Sequence, residues 1–180
     1  MTILISIMKN IFYFIIISIL FSCDCSKKEE SATSETTTVY YFIRHAEKDR
    51  SDPNNKEPEL TEAGIQRAKK WASIFETVHL DQIYSTDYLR TQQTVMYIAT
   101  NQNVAVRSYD PKELYSENFK DLTAGEIVLI VGHSNTTPAF VNAVIGEENY
   151  PQIDDSNNGN LYIVTLNESG KSVQLLTINK

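Results

Sequence analysis

Residues Ile127 to Val131, I-V-L-I-V, are apolar without a break. Side chains on a strand alternate between two faces, so a run apolar at every position needs cover on both sides of its sheet. Val39 to Ile43, V-Y-Y-F-I, is a second run of this kind. Each run stops at a histidine: Arg44-His45 follows the first and Gly132-His133-Ser134-Asn135 follows the second. Two buried strands ending in the same residue type, with helical periods between them, leave few architectures open.

The intervening sequence supplies those helices. Residues 49 to 59 carry Pro53, Asn54, Asn55 and Pro58 and read as a loop. Thr61 is placed as a helix N-cap with Glu62 in the first turn, and Ile65, Ala68, Ala72 and Phe75 recur at helical spacing to about Thr77. A short strand is expected over Asp81 to Tyr84. A helix is expected from Tyr88 to Thr100, a strand over Val104 to Arg107 and a helix over Lys112 to Leu122. After the strand at 127–131 comes a helix from Thr137 to Ile145, closed by Gly146. Two strands, Leu161 to Leu166 and Val173 to Ile178, finish the chain around a turn at Asn167 to Gly170. Strands alternating with helices indicate an α/β fold with a mainly parallel sheet. In such sheets ligands bind beyond the carboxyl ends of the strands, which is where Arg44, His45 and His133 fall.

The first 38 residues read differently. Lys9 precedes an apolar run from Ile11 to Leu20 that leads into Leu20-Phe21-Ser22-Cys23. A positive start, a short apolar stretch and small residues at its end describe an export signal, and the run is short for a spanning helix. Leucine three places before a cysteine, with serine just before it, resembles the lipobox of bacterial lipoproteins, which implies acylation of Cys23. Residues 1–22 are then the signal, 23–38 a polar tether and 39–180 the domain. The expected location is the cell envelope, lipid-anchored at the outer membrane, facing the periplasm or the surface. Cys25 has no second cysteine in the domain to pair with. The net charge of −7 offers no basic stripe for nucleic acid.

The chemistry implied at the rim is phosphoryl transfer. A neutral imidazole can act as a nucleophile when its other nitrogen is held. The charge on phosphoryl oxygens needs fixed cationic donors, a role that suits arginine. Arg44 and His45 follow one strand, His133 follows another, and Arg90 lies near the start of the second helix, where the helix dipole favours anions. No paired Cys/His motif gives a metal-ligand set, and no cofactor is implied. His79 and Trp71 read as surface and packing residues, and Asn142 as solvent-facing.

Four blocks now stand in order: F-I-R-H-A-E-K, L-T-E-A-G, Y-S-T-D-Y-L-R-T-Q-Q-T and L-I-V-G-H-S-N-T. Together they resemble the histidine phosphatase superfamily, from Tyr41 to about Gly146. The resemblance implies a three-layer sandwich of the phosphoglycerate mutase type, acting without metal. It makes His45 the phosphorylated nucleophile, Arg44 and Arg90 ligands of the phosphoryl oxygens and His133 the second phosphate-binding histidine. Ser134 and Asn135 shape the pocket, and Gly64 packs the first helix closely. Ala46 stands where the family often has glycine. Lys48 is either a third cation of the pocket or a surface lysine paired with Glu47. The proton donor is assigned to Asp110, with Glu113 as the second candidate; some phosphohistidine phosphatases have no such acid. The expected partner is a small phosphorylated molecule or a phosphoprotein. A phosphoglycerate mutase-type phosphotransferase fits less well because the domain is short. The alternatives are a phosphate-binding lipoprotein without turnover, against which the intact set of Arg44, His45, Arg90 and His133 argues, and a purely structural envelope lipoprotein, for which that set would be a coincidence.

Overall fold

The computed structural model describes residues 36–179; the signal, Cys23 and most of the tether lie outside them. Strand β1 spans Thr38–Arg44, β2 Gln82–Ser85, β3 Val106–Ser108, β4 Ile127–Gly132, β5 Asn160–Asn167 and β6 Gly170–Thr177. Helix α1 spans Glu62–Ile74 and runs into a 3-10 turn at Phe75–Thr77; α2 is Leu89–Gln102, α3 Glu117–Thr123 and α4 Thr136–Ile145. The strands form one sheet in the order β3-β2-β4-β1-β5-β6. β3, β2, β4 and β1 run parallel, and β5 and β6 complete the sheet antiparallel.

The unbroken apolar runs are explained by burial on two faces. In β4, Val128 and Ile130 pack with Phe119 of α3 and with Phe140, Val141 and Val144 of α4. Leu129 and Val131 point the other way, onto Trp71 and Ala72 of α1 and Val95 and Ile98 of α2. The result is three layers, helices on each side of a mixed sheet. Cutting one such side chain to alanine, Ile130→Ala for example, costs about 2–5 kcal/mol.

Several local expectations hold to within a residue or two. Thr61 caps α1, its hydroxyl accepting from the Gly64 N–H. Gly146 ends α4 in the left-handed region at φ 79°. The expected helix over 112–122 is instead confined to its second half. Tyr115 has φ 51°, which a right-handed helix cannot contain, and Ser116 then caps a fresh start at Glu117. The solvent-facing reading of Asn142 is also overturned. It is buried, donates to the Tyr150 carbonyl and accepts from the Asn149 and Tyr150 N–H groups, so it pins the turn after α4.

Candidate active site

β1 and β4 are neighbours in the sheet, with Arg44 paired to Gly132. That register sets the residues after each strand side by side. The His45 N–H donates to the Gly132 carbonyl at 2.9 Å, and the two imidazole rings stand 5.5 Å apart. α2 then places Arg90 at its second residue, and α4 begins three residues after His133. The N-termini of both helices favour negative charge here.

These residues line a cavity of about 330 Å³. Its wall includes Arg44, His45, Lys48, Arg90, His133, Ser134 and Asn135, all singled out in the sequence. Lys48 therefore belongs to the pocket wall. Glu47, the alternative partner for Lys48, is held by Arg67 of α1 through a bidentate pair at 2.9–3.0 Å.

The nucleophile candidate is held on all sides. His45 Nδ1 lies 2.8 Å from the Ala46 carbonyl, which only accepts, so Nδ1 carries the proton and Nε2 holds the free electron pair. The His45 carbonyl accepts from Asn158 Nδ2 at 2.8 Å. The Ala46 N–H donates to Thr94 Oγ1 of α2 at 2.8 Å. The Ala46 methyl is buried against Leu60 and Ala68. Burial, followed by the nearby arginines and His133, pushes the His45 imidazole down to about 3. Burial first, then Arg90 and Arg44, pushes His133 down to about 4. Both rings are therefore neutral near pH 7, the state a nucleophilic imidazole requires.

The cations are fixed by residues that sequence reading did not single out. Arg44 is 1% exposed. Its Nη1 donates to the carbonyls of Asp154 and Asn157, and its Nη2 pairs with Asp155 at 2.9 Å. The loop from 153 to 158 thus holds Arg44 and, through Asn158, His45; Ile153 N–H also bonds the Ser134 carbonyl. Arg90 stacks its guanidinium over the Tyr88 ring at 4.3 Å. Among the described residues, Arg44 Nε and Arg90 Nε are buried with no hydrogen-bond partner. Buried donors of this kind suit an anion's oxygens. Asp155, Arg50 and Asn158 carry no motif of their own; only their place in the fold reveals them, and Tyr88, inside the third block, gains its role by stacking on Arg90.

Asp110 is the expectation that the geometry does not support. It is exposed, its carboxylate accepts from the Lys112 N–H, and it lines a neighbouring depression with Glu57 and Asp87 rather than this cavity. Glu113 is exposed as well and lines neither. Among the described residues the carboxylate on the cavity wall is Asp155, and hydrogen bonding and charge from Arg50, with Arg44 behind, hold it below the usual carboxylate range. An anion so fixed is a poor proton donor.

Residues 40–111 match the family described as histidine phosphatase superfamily (branch 1). No curated protein matches. The fold is similar to that of a putative phosphohistidine phosphatase, SixA, from Agrobacterium tumefaciens, with 22% identity and a TM-score of 0.56, covering 78% of this chain and 98% of that one. The protein histidine phosphatase SixA complexed with tungstate is similar at 17% identity and a TM-score of 0.62, over 77% of this chain and 96% of that one. A phosphoglycerate mutase from Bacillus anthracis is similar at 11% identity and a TM-score of 0.62, over 79% and 93%. At these identities the structural likeness carries the fold, an α/β sandwich of the phosphoglycerate mutase type.

Proposed function

We propose that the chain is a member of the histidine phosphatase superfamily, whose model residues 40–111 match, and that it is a metal-independent phosphatase that passes the phosphoryl group through His45. The observation that carries this reading is the orientation of His45. Its Nδ1–H is tied to the Ala46 carbonyl and its ring is neutral. Nε2 attacks phosphorus, a P–N bond forms, and the bond to the leaving group breaks. The Nδ1–H bond to Ala46 strengthens as the ring gains positive charge. Arg44, Arg90 and His133 meet the phosphoryl oxygens, with Lys48 and the Ser134-Asn135 turn at the rim. Water then attacks phosphorus, releasing inorganic phosphate and neutral His45.

Among the described residues the carboxylate on the cavity wall is Asp155, which Arg50 and Arg44 hold ionised, and this narrows the leaving group. An alkoxide needs a proton donor, worth roughly 10²-fold or more in rate. A phosphorylated imidazole takes a proton from solvent onto its far nitrogen near neutral pH and then departs as neutral imidazole, so it needs no acid from the enzyme. The proposed substrate is therefore a phosphohistidine on a protein partner, as in the names of the two phosphohistidine-acting neighbours. The lipobox-like stretch before Cys23 supports anchoring of the enzyme in the cell envelope. Mass spectrometry showing an unacylated Cys23 in the native membrane fraction would remove that part.

The test is turnover of a phosphohistidine peptide and of an alkyl phosphate, with and without chelator, beside His45→Ala. Chelator-insensitive turnover of the peptide, at least about 10²-fold faster than the alkyl ester and abolished in His45→Ala, is the expected result. Equal rates on both substrates would restore a proton donor to the site, and activity surviving in His45→Ala would end the mechanism.

A further inference from the structure

His133 is tied at Nε2 to a chain of two buried hydroxyls. Its Nε2 lies 2.9 Å from Thr86 Oγ1, and Thr86 Oγ1 lies 3.0 Å from Thr91 Oγ1. Thr91 Oγ1 in turn lies 2.7 Å from the Tyr88 carbonyl and 2.9 Å from the Thr86 carbonyl. Both threonines are fully buried. Each hydroxyl has one proton to give. Carbonyl oxygens only accept, so the Thr91 proton goes to them. At the Thr86–Thr91 contact Thr86 must then be the donor. Its proton is used there, so at the His133 contact Thr86 accepts, and Nε2 of His133 must carry a hydrogen. The direction of the whole chain is fixed by its carbonyl end.

We propose that Thr86 and Thr91 are positioning residues that lock His133 as its Nε2–H tautomer, so that Nδ1 faces the phosphoryl group and must take up a proton when a dianion binds. Nδ1 is the nitrogen on the pocket side, 3.5 Å from Arg90 Nη2. As a bare electron pair it would repel a phosphoryl oxygen. Tautomer exchange would resolve this in a free imidazole, but here it would set Nε2 without a proton against a Thr86 hydroxyl already committed to Thr91. Binding a dianion instead draws one proton from solvent onto Nδ1. The imidazolium then donates from both nitrogens, to Thr86 and to the anion.

The groups facing His133 explain why the proton waits for the ligand. Arg90 comes from α2, Arg44 ends β1 and His45 follows it, Lys48 comes from the loop beyond, and Tyr88 packs edge-on at 5.0 Å. Among the described residues Asp155 is the one carboxylate lining the cavity, and it is engaged by Arg44 and Arg50. Burial and these cations hold the empty ring neutral; two negative charges from a ligand reverse that balance. The tautomer assignment stands without the catalytic reading of His45, while its use in turnover rests on the function proposed above.

The experiment titrates the full chain with tungstate, a tetrahedral dianion, at pH 7.5 in two buffers of different ionisation heat. About one proton taken up per tungstate bound is expected. Thr86→Val is expected to weaken tungstate about tenfold and to lower the proton uptake, with Thr86→Ser restoring both. Imidazole ¹⁵N shifts of the unliganded wild-type chain read the tautomer directly and need no variant to fold. An Nδ1–H form of His133, or tungstate binding without proton uptake, would overturn the proposal. If turnover were absent while uptake and the serine rescue held, the phosphatase reading would fail and this one would stand.

Discussion

Replacing Gly64 with alanine tests whether α1 sets the position of the nucleophile. A Cβ on Gly64 would lie 2.1 Å from the Glu47 carbonyl oxygen and 3.0 Å from its carbon. Backbone cannot yield as a flexible side chain can, so α1 or the loop after β1 must shift by roughly 1 Å. Overpacking of this kind costs about 1–3 kcal/mol. The Glu47 carbonyl also accepts from the Thr61 N–H at 2.9 Å, and losing that bond adds about 1 kcal/mol. The gain in helix propensity from glycine to alanine returns about 1 kcal/mol. The net expectation is a loss of about 2 kcal/mol, a fall in Tm of roughly 6 °C for a domain of this size. Glu47 is two residues from His45, so the same shift moves the nucleophile, and a misplacement of about 1 Å costs on the order of 10²-fold in rate. The assay pairs thermal unfolding with turnover. Ala63→Gly is the control: exposed on the same helix, it loses about 1 kcal/mol of propensity without touching the loop, and should keep its kcat. If Gly64→Ala kept kcat within about twofold while folded, the close contact would not be what aims His45.

Two further outcomes follow from the charges at the site. His45 and His133 are held at about 3 and about 4 in the folded chain, against about 6.5 unfolded. The unfolded chain therefore binds more protons below pH 6.5. Stability should be complete above that value and fall as pH drops toward 4 and then 3, by up to about 1.4 kcal/mol per pH unit for each histidine. Urea unfolding at pH 7.5 and pH 5 reads this slope, and His45→Asn should flatten it; an unchanged slope would mean His45 titrates normally. Asp155→Asn removes a negative charge from the cavity wall while leaving Arg44 its bonds to the Asp154 and Asn157 carbonyls. Asp155 is 67% exposed, so solvent screening limits the gain to about 1 kcal/mol, a roughly fivefold tighter inhibition constant for tungstate. Weaker inhibition would show that the carboxylate serves the site by orienting Arg44.

What could be read from the chain was whatever leaves a local trace. β1 and β4 announced themselves because burial on both faces forces every position to be apolar. Arg44 ends a strand, His45 and His133 lie just beyond strands, and Arg90 lies at a helix start, where local pattern and ligand position coincide. Asp155 and Asn158 lie in a loop with no period, and their importance comes from contacts to Arg44 and His45 more than a hundred positions away. Tyr115 broke an expected helix through a backbone angle that its side chain does not disclose. Asp110 was placed by nearness to the third strand, but the chain after β3 turns its carboxylate onto its own backbone at Lys112.

The bond from Asn158 to the His45 carbonyl joins positions 113 apart. During synthesis His45, Arg44 and most of the sheet exist well before the segment that clamps them. Non-local closures of this sort form late, after the loop entropy between their ends has been overcome. A ribosome-bound chain ending before residue 153 would carry the four sequence blocks intact and still lack a working centre. Competence would switch on only when the final hairpin docks, so the enzyme would be silent until it is complete.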